Sequence, residues 1–329
     1  MHVTPLVWWI TVLATSAILI VDVFVIGRRP HEPSRRETTT ALALFVGLAL
    51  AFGIGVWLVA GGEYGGEFFA GWLTEYSLSI DNLFIFIVIM NRLGVARELQ
   101  QSALLIGIVL ALLLRGLFIA VGAAAIQQFS WVFYLFGLFL VVTAINLARE
   151  GGQDEGGYDE PRLVRWARGN LRLSEGWNGA KLTVRQNGAR LFTPMFLVVL
   201  TLGMTDLLFA LDSIPAIYGL TDEPYIVLTA NLFALMGLRQ LYFLIGDLLR
   251  RLVFLSYGLA FLLLFIGVKL ILHALHENTL PFVNGGEHIS WAPDIPIWIS
   301  LVVIVGTLAV TTALSLAADR RGASSKRAT

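Results

Sequence analysis

The sequence predicts an all-α membrane protein of about nine transmembrane helices, and three observations carry that prediction. The 329 residues are 57% hydrophobic and only 14% charged, with a mean hydropathy of +0.77, the composition of a polytopic membrane protein. Apolar stretches recur at close to the roughly 20 residues a helix needs to cross a bilayer. Lys and Arg collect in every second connection between those stretches, as expected for loops held on the cytoplasmic side.

The spans fall at about 6–26, 41–61, 68–90, 102–126, 129–148, 193–218, 224–248, 252–274 and 295–317. No Lys or Arg precedes the first apolar run, and Arg28 and Arg29 follow it, the reverse of a cleavable signal peptide. Arg35 and Arg36 lie in the same connection. Arg92 and Arg97 follow the third span, Arg250 and Arg251 the seventh, and Arg320, Arg321, Lys326 and Arg327 the ninth, while eight Lys or Arg lie in 149–192. The alternate connections 62–67, 127–128, 219–223 and 275–294 contain none. The positive-inside rule then places the amino terminus outside and the carboxyl terminus inside. The chain is expected to form one polytopic domain over 1–329, multi-pass in the cell (plasma or inner) membrane, with the bilayer as its first partner.

The inner loop 149–192 is acidic at first and basic afterwards. Pro161 can open a short helix. Helical spacing then puts Arg162, Arg165, Arg168 and Arg172 on one face, and Leu163, Val164, Ala167 and Leu171 on the other. The pattern suits a helix on the cytoplasmic surface and also a solvated linker.

Spans three to five (68–148) and six to eight (193–274) look like two copies of one unit. Each opens with a carboxylate pair of the same spacing, Glu75 and Asp81 in the first and Asp206 and Asp212 in the second. The middle helices carry Leu114-Arg115-Gly116-Leu117-Phe118 and Leu238-Arg239-Gln240-Leu241-Tyr242 in one register, and the third helices open with Tyr134 and Tyr257. A unit of three helices returns to the opposite side of the bilayer, so the copies must be inverted, a recurrent plan in secondary transporters.

An ionised acid near a bilayer centre costs roughly 2.5–3.5 kcal/mol on insertion scales, so four of them need compensation. Six residues on a straight helix separate two side chains by about 9 Å along the axis and about 120° around it. Neither pair can therefore grip one ion from an unbroken helix. Either the helix unwinds, or each acid meets partners from the opposite repeat. Counting along the spans puts Asp81 and Asp206 near midplane and Glu75 and Asp212 further outward. Pro215 cannot donate to the carbonyl of Leu211 and should loosen that turn, leaving an oxygen for a cation. Asn82 shares a face with Glu75, and Ser213 shares one with Asp206; Ser77 and Ser79 add hydroxyls. These acids could instead only tie helices together. Arg115 and Arg239, near the centres of their spans, are expected to balance the acids. Four acids against two arginines leave −2, the deficit that one divalent cation or two protons would fill. Asn231 suits either an oxygen ligand or an interhelical hydrogen bond. Lys269 and Asp22 lie near span ends, where such side chains reach for water. The histidines (His2, His31, His273, His276, His288) fall in loops or near helix ends.

Several classes are excluded or disfavoured. With no cysteine, disulfides, thiolate nucleophiles and thiolate ligands are all absent. Zero net charge gives no basis for nucleic-acid binding. An intramembrane aspartyl protease would need a Gly-x-Gly-Asp turn that the chain lacks, and no enzymatic activity is expected. No permanently bound cofactor is expected either. Oxygen ligands suit Mg2+, Ca2+ or Mn2+ rather than Zn2+, Cu2+ or Ni2+, and Mg2+ holds its water shell tightly. Protonation of the acids would provide ion release and coupling to pH.

At these motifs the chain resembles the TerC family of integral membrane proteins, named for tellurium resistance and including Alx-type manganese exporters. The matching residues are Glu75-Tyr-Ser-Leu-Ser-Ile-Asp-Asn82, Leu114-Arg115, Thr193-Pro-Met-Phe196, Thr205-Asp206, and Phe209-Ala-Leu-Asp212-Ser-Ile-Pro-Ala216. They continue with Asn231-Leu-Phe-Ala234, Gly237-Leu-Arg239, Tyr242-Phe243, Tyr257-Gly-Leu-Ala260 and Gly267-Val-Lys269. The resemblance covers about 40–270. It implies manganese efflux, with Glu75, Asp81, Asp206 and Asp212 at the cation site. One departure is Gly203, where the family commonly has glutamate. The resemblance also allows a non-transporting membrane-protein assembly factor or a tellurite-stress scaffold. A homo-oligomer is compatible with the sequence.

Overall fold

The structure is a computed structural model. It describes residues 3–28, 34–129, 131–150, 162–174, 176–186, 189–249, 254–276, 278, 284, 289, 291–293 and 295–325. Ten helices appear in this part of the chain: α1 (Pro5–Arg28), α2 (Arg35–Ala60), α3 (Gly62–Arg92), α4 (Arg97–Gln128), α5 (Val132–Glu150), α6 (Arg162–Asn170), α7 (Pro194–Tyr218), α8 (Pro224–Leu249), α9 (Leu255–His276) and α10 (Ile297–Ser325). Eight of them are long and apolar enough to cross a membrane. The remaining expected span corresponds to α1, whose apolar stretch within the described side chains is Pro5–Ile18.

Local chemistry sets the helix ends. Ser34 caps α2 by accepting from the Glu37 N–H at 3.2 Å. Thr193 caps α7 by accepting from the Phe196 N–H at 3.4 Å, with Pro194 in the first helical position, where a missing N–H costs nothing. Between α2 and α3 the chain turns on one residue, Gly61, at φ 107°, a conformation open chiefly to glycine.

Helices α3, α4, α7 and α8 form the centre. Helix α8 is mostly buried over Pro224–Leu244, while α2 and α10 keep much of their surface exposed. The principal pairings are α3 with α8, α4 with α7, and α5 with α9. Helix α1 joins the bundle through Thr11, whose hydroxyl lies 2.7 Å from the Tyr225 hydroxyl. The α5–α9 crossing is very close. A Cβ on Gly137 would stand 2.8 Å from the carbonyl oxygen of Gly267, and one on Gly267 would stand 2.9 Å from that of Gly137. Small residues allow such backbone contact between membrane helices.

The loop 149–192 contains the short helix that its spacing allowed. Val164 and Ala167 of α6 are buried, and α6 packs on α7, while Arg165, Arg168 and Trp166 face outward. After it comes an antiparallel hairpin, β1 (Thr183–Gln186) with β2 (Ala189–Phe192), pairing Val184 with Leu191. The hairpin is not among the elements expected from the sequence. Its available signal is Asn187-Gly188 between two short runs; those two residues, like Pro161, lie outside the described part.

Candidate functional site

Three helices place polar side chains around one guanidinium carried by a fourth. Arg115 of α4 is 1% exposed. Its Nε and Nη2 donate to the two oxygens of Asp206 on α7, each at 2.9 Å, the paired geometry that makes Arg–carboxylate contacts strong. Its Nη1 donates to Glu75 of α3, to the Asn231 side-chain oxygen of α8 at 2.9 Å and to the Ser213 hydroxyl of α7 at 3.2 Å. Glu75, Asp206, Ser213 and Asn231 are all at most 2% exposed. Two carboxylates thus face one guanidinium in a buried site, where charges interact far more strongly than in water.

Neighbours fix these groups. Asn231 donates its Nδ2 to the Val227 carbonyl at 3.0 Å, which turns its oxygen toward Arg115. The Ser79 hydroxyl donates to Glu75 at 3.5 Å. Glu75 Oε2 has no hydrogen-bond partner among the described residues, an unusual state for a buried carboxylate oxygen. Beside Asp206 lies a cavity of about 10 Å3 walled by Phe86, Leu104, Ile108, Leu202 and Leu238, room for about one water molecule.

The helices stay whole through the carboxylate motifs. Helix α3 runs unbroken past Glu75 and position 81, and α7 runs unbroken past Asp206, Asp212 and Pro215. The loosened turn expected at Pro215 does not interrupt α7. Of the two possibilities left by the six-residue spacing, the acids Glu75 and Asp206 take the second: each meets partners on other helices.

Not every predicted residue joins the cluster. Asp212 points away from it, as the rotation between positions 206 and 212 requires, and accepts from the Thr143 hydroxyl of α5 at 3.2 Å. Asn82 is buried on α3 but makes none of the Arg115 contacts. The Ser77 hydroxyl donates to the Leu73 carbonyl of its own helix at 2.6 Å. Arg239 is buried and donates to the Gln240 side-chain oxygen at 2.7 Å in the amide orientation that satisfies both ends of Gln240. The side chains of Asp81 and Asp22 lie outside the described residues, as do His2, His31 and His288. No three His, Cys, Asp or Glu side chains come close enough to hold a metal ion among the described residues.

A second polar region was not anticipated from the sequence. Where α3 begins and α7 ends, a cavity of about 170 Å3 is lined by Glu63, Glu67, Thr221, Asp222, Lys269 and His273. Thr221 donates to Glu67 at 2.6 Å, His273 lies 3.8 Å from Asp222, and Lys269 donates to Ser300 at 3.5 Å. The available signal is Glu67 itself, at an apolar span boundary and eight residues before Glu75.

Comparison with known proteins adds the following. The model of the integral membrane protein TerC family matches residues 60–323. An uncharacterized membrane protein of Mycobacterium tuberculosis is 47% identical over 318 residues, covering 96% of this chain and 80% of its own. Proteins named "Putative membrane-bound redox modulator Alx" match from Salmonella typhi at 36% and Escherichia coli (strain K12) at 35% identity, each over 94% of this chain and 93% of the relative. No solved structure matches the chain.

Proposed function

Because the chain belongs to the TerC family of integral membrane proteins, we propose that it is a transporter exporting a divalent metal cation, Mn2+ by preference, coupled to protons. One observation carries this reading. Glu75 and Asp206, near the middles of two different membrane-length helices, turn inward onto one buried group together with an amide and a hydroxyl oxygen. Ionisable residues at such depth mark ion and proton pathways, and an all-oxygen set suits a hard cation. The cargo would be held by Glu75 and Asp206, with Asn231 and Ser213 as neutral donors.

The inverted-repeat plan is supported by the helix pairings. Exchanging the units α3–α5 and α7–α9 turns the α3–α8 contact into the α7–α4 contact and leaves α5–α9 unchanged. Such exchange symmetry is what rocking of one repeat against the other would use.

Relatives carry the name redox modulator. This chain has no cysteine, so any thiol chemistry would have to come from another molecule. An assembly or scaffold role would leave the buried acids without a use beyond holding helices together. Purified protein in liposomes, tested with a panel of divalent ions, separates these readings. Flux of Mn2+ in preference to Zn2+ and Cu2+ is expected; absence of flux, or a strong Zn2+ preference, refutes the proposal.

A further inference from the structure

We infer that Arg115 is a tethered competitor for the transported cation: it occupies the oxygen cage in the resting protein, and the cargo enters only as the guanidinium leaves. This rests on the export reading and names the step that controls access to its site.

All but one of the oxygens proposed to hold the cation are already in use, the exception being Glu75 Oε2. Arg115 takes both oxygens of Asp206, one of Glu75, the Asn231 oxygen and the Ser213 hydroxyl. The cage has no space for a second occupant: the neighbouring cavity is about 10 Å3, and Asp206 is its one polar lining residue. Charge leads to the same conclusion. Two acids with Arg115 carry −1, and two acids with a divalent cation carry 0. Both cations together would leave +1 in a buried site, where like charges repel strongly. Exchange is therefore the consistent stoichiometry, one cation in for one guanidinium out.

The arrangement has a functional consequence. An empty cage of buried carboxylates would be costly to keep, and a transporter returning without metal carries no divalent charge to offset it. Arg115 offsets one of the two acid charges from within the chain and leaves one for the coupled proton, so the unloaded protein can change conformation. It also sets affinity, because every cation bound must displace five hydrogen bonds.

The test is Mn2+ binding by calorimetry on purified full-length protein, with Mn2+ flux in liposomes alongside. Arg115→Gln removes the competitor, so affinity should rise at least about tenfold while flux falls, since the unloaded cage then lacks its internal positive charge. Arg115→Lys keeps the charge but cannot pair with both Asp206 oxygens. Its affinity should rise severalfold with part of the flux retained. Should Arg115→Gln fail to fold, the lysine variant decides alone. Unchanged or weaker Mn2+ affinity in a folded variant, against a wild type that binds and exports Mn2+, overturns this inference and leaves the export reading standing. A wild type that neither binds nor exports Mn2+ overturns both. A purely structural arginine predicts loss of stability without any gain in affinity.

Discussion

Each polar side chain gathered at Arg115 is settled by a specific partner, and the partners differ between the acids of the sequence motifs. Asp206 and Glu75 share Arg115, whereas Asp212 rests on Thr143. That division predicts different behaviour on mutation. Thr143→Val removes the donor to a half-buried carboxylate, so unfolding stability should drop by about 1 kcal/mol with Mn2+ affinity unchanged. Thermal unfolding and metal titration on the same variant check this; a fall in affinity would place Asp212 at the cation site after all. The acids and Arg115 are legible in the sequence because a charge inside an apolar span needs a reason. The face shared by Asp206 and Ser213 is legible too, since seven residues bring a helix nearly back to the same side. Thr143 is not. A lone threonine in an apolar helix satisfies its own backbone as readily as a neighbour's carboxylate, and only packing chooses.

At the scale of elements, the approximate placement of the spans follows from the sequence, because apolar runs and caps act locally, although α3 already begins within the connection expected at 62–67. Interhelical approach does not, since it depends on which faces meet. The α5–α9 crossing illustrates this: Gly137 and Gly267 are ordinary glycines in the sequence, yet their backbones touch in the fold. Gly137→Ala or Gly267→Ala should force the helices apart and cost about 1–3 kcal/mol. Gly55→Ala on α2, with open space around it, should be neutral or gain up to about 1 kcal/mol. Equal effects at the two kinds of site, measured as unfolding midpoints, would contradict the close packing. The β1–β2 hairpin escapes sequence reading for a related reason. Two four-residue strands in a polar loop carry little periodicity, and the charge pattern of that loop points to α6 instead.

The principal helix pairings α3–α8, α4–α7 and α5–α9 fit two exchanged three-helix units, and the charge asymmetry of the sequence predicts their orientation. Because the chain has no cysteine, a single introduced thiol reports sidedness cleanly. Asn178→Cys, exposed in the inner loop, should react with a membrane-impermeant maleimide only after the cytoplasmic face is opened. Labelling of intact cells would reverse the orientation predicted from the charges. The export reading itself turns on whether the acids gathered at Arg115 carry the cation. Its most direct test is Mn2+ flux in liposomes for the wild type, Glu75→Gln and Asp206→Asn, with folding verified by size-exclusion profiles. Wild-type flux is expected, with at least a tenfold loss, about 1.4 kcal/mol or more, in each variant. Full flux through both folded variants would show that these acids hold helices together and that the ion passes elsewhere or not at all.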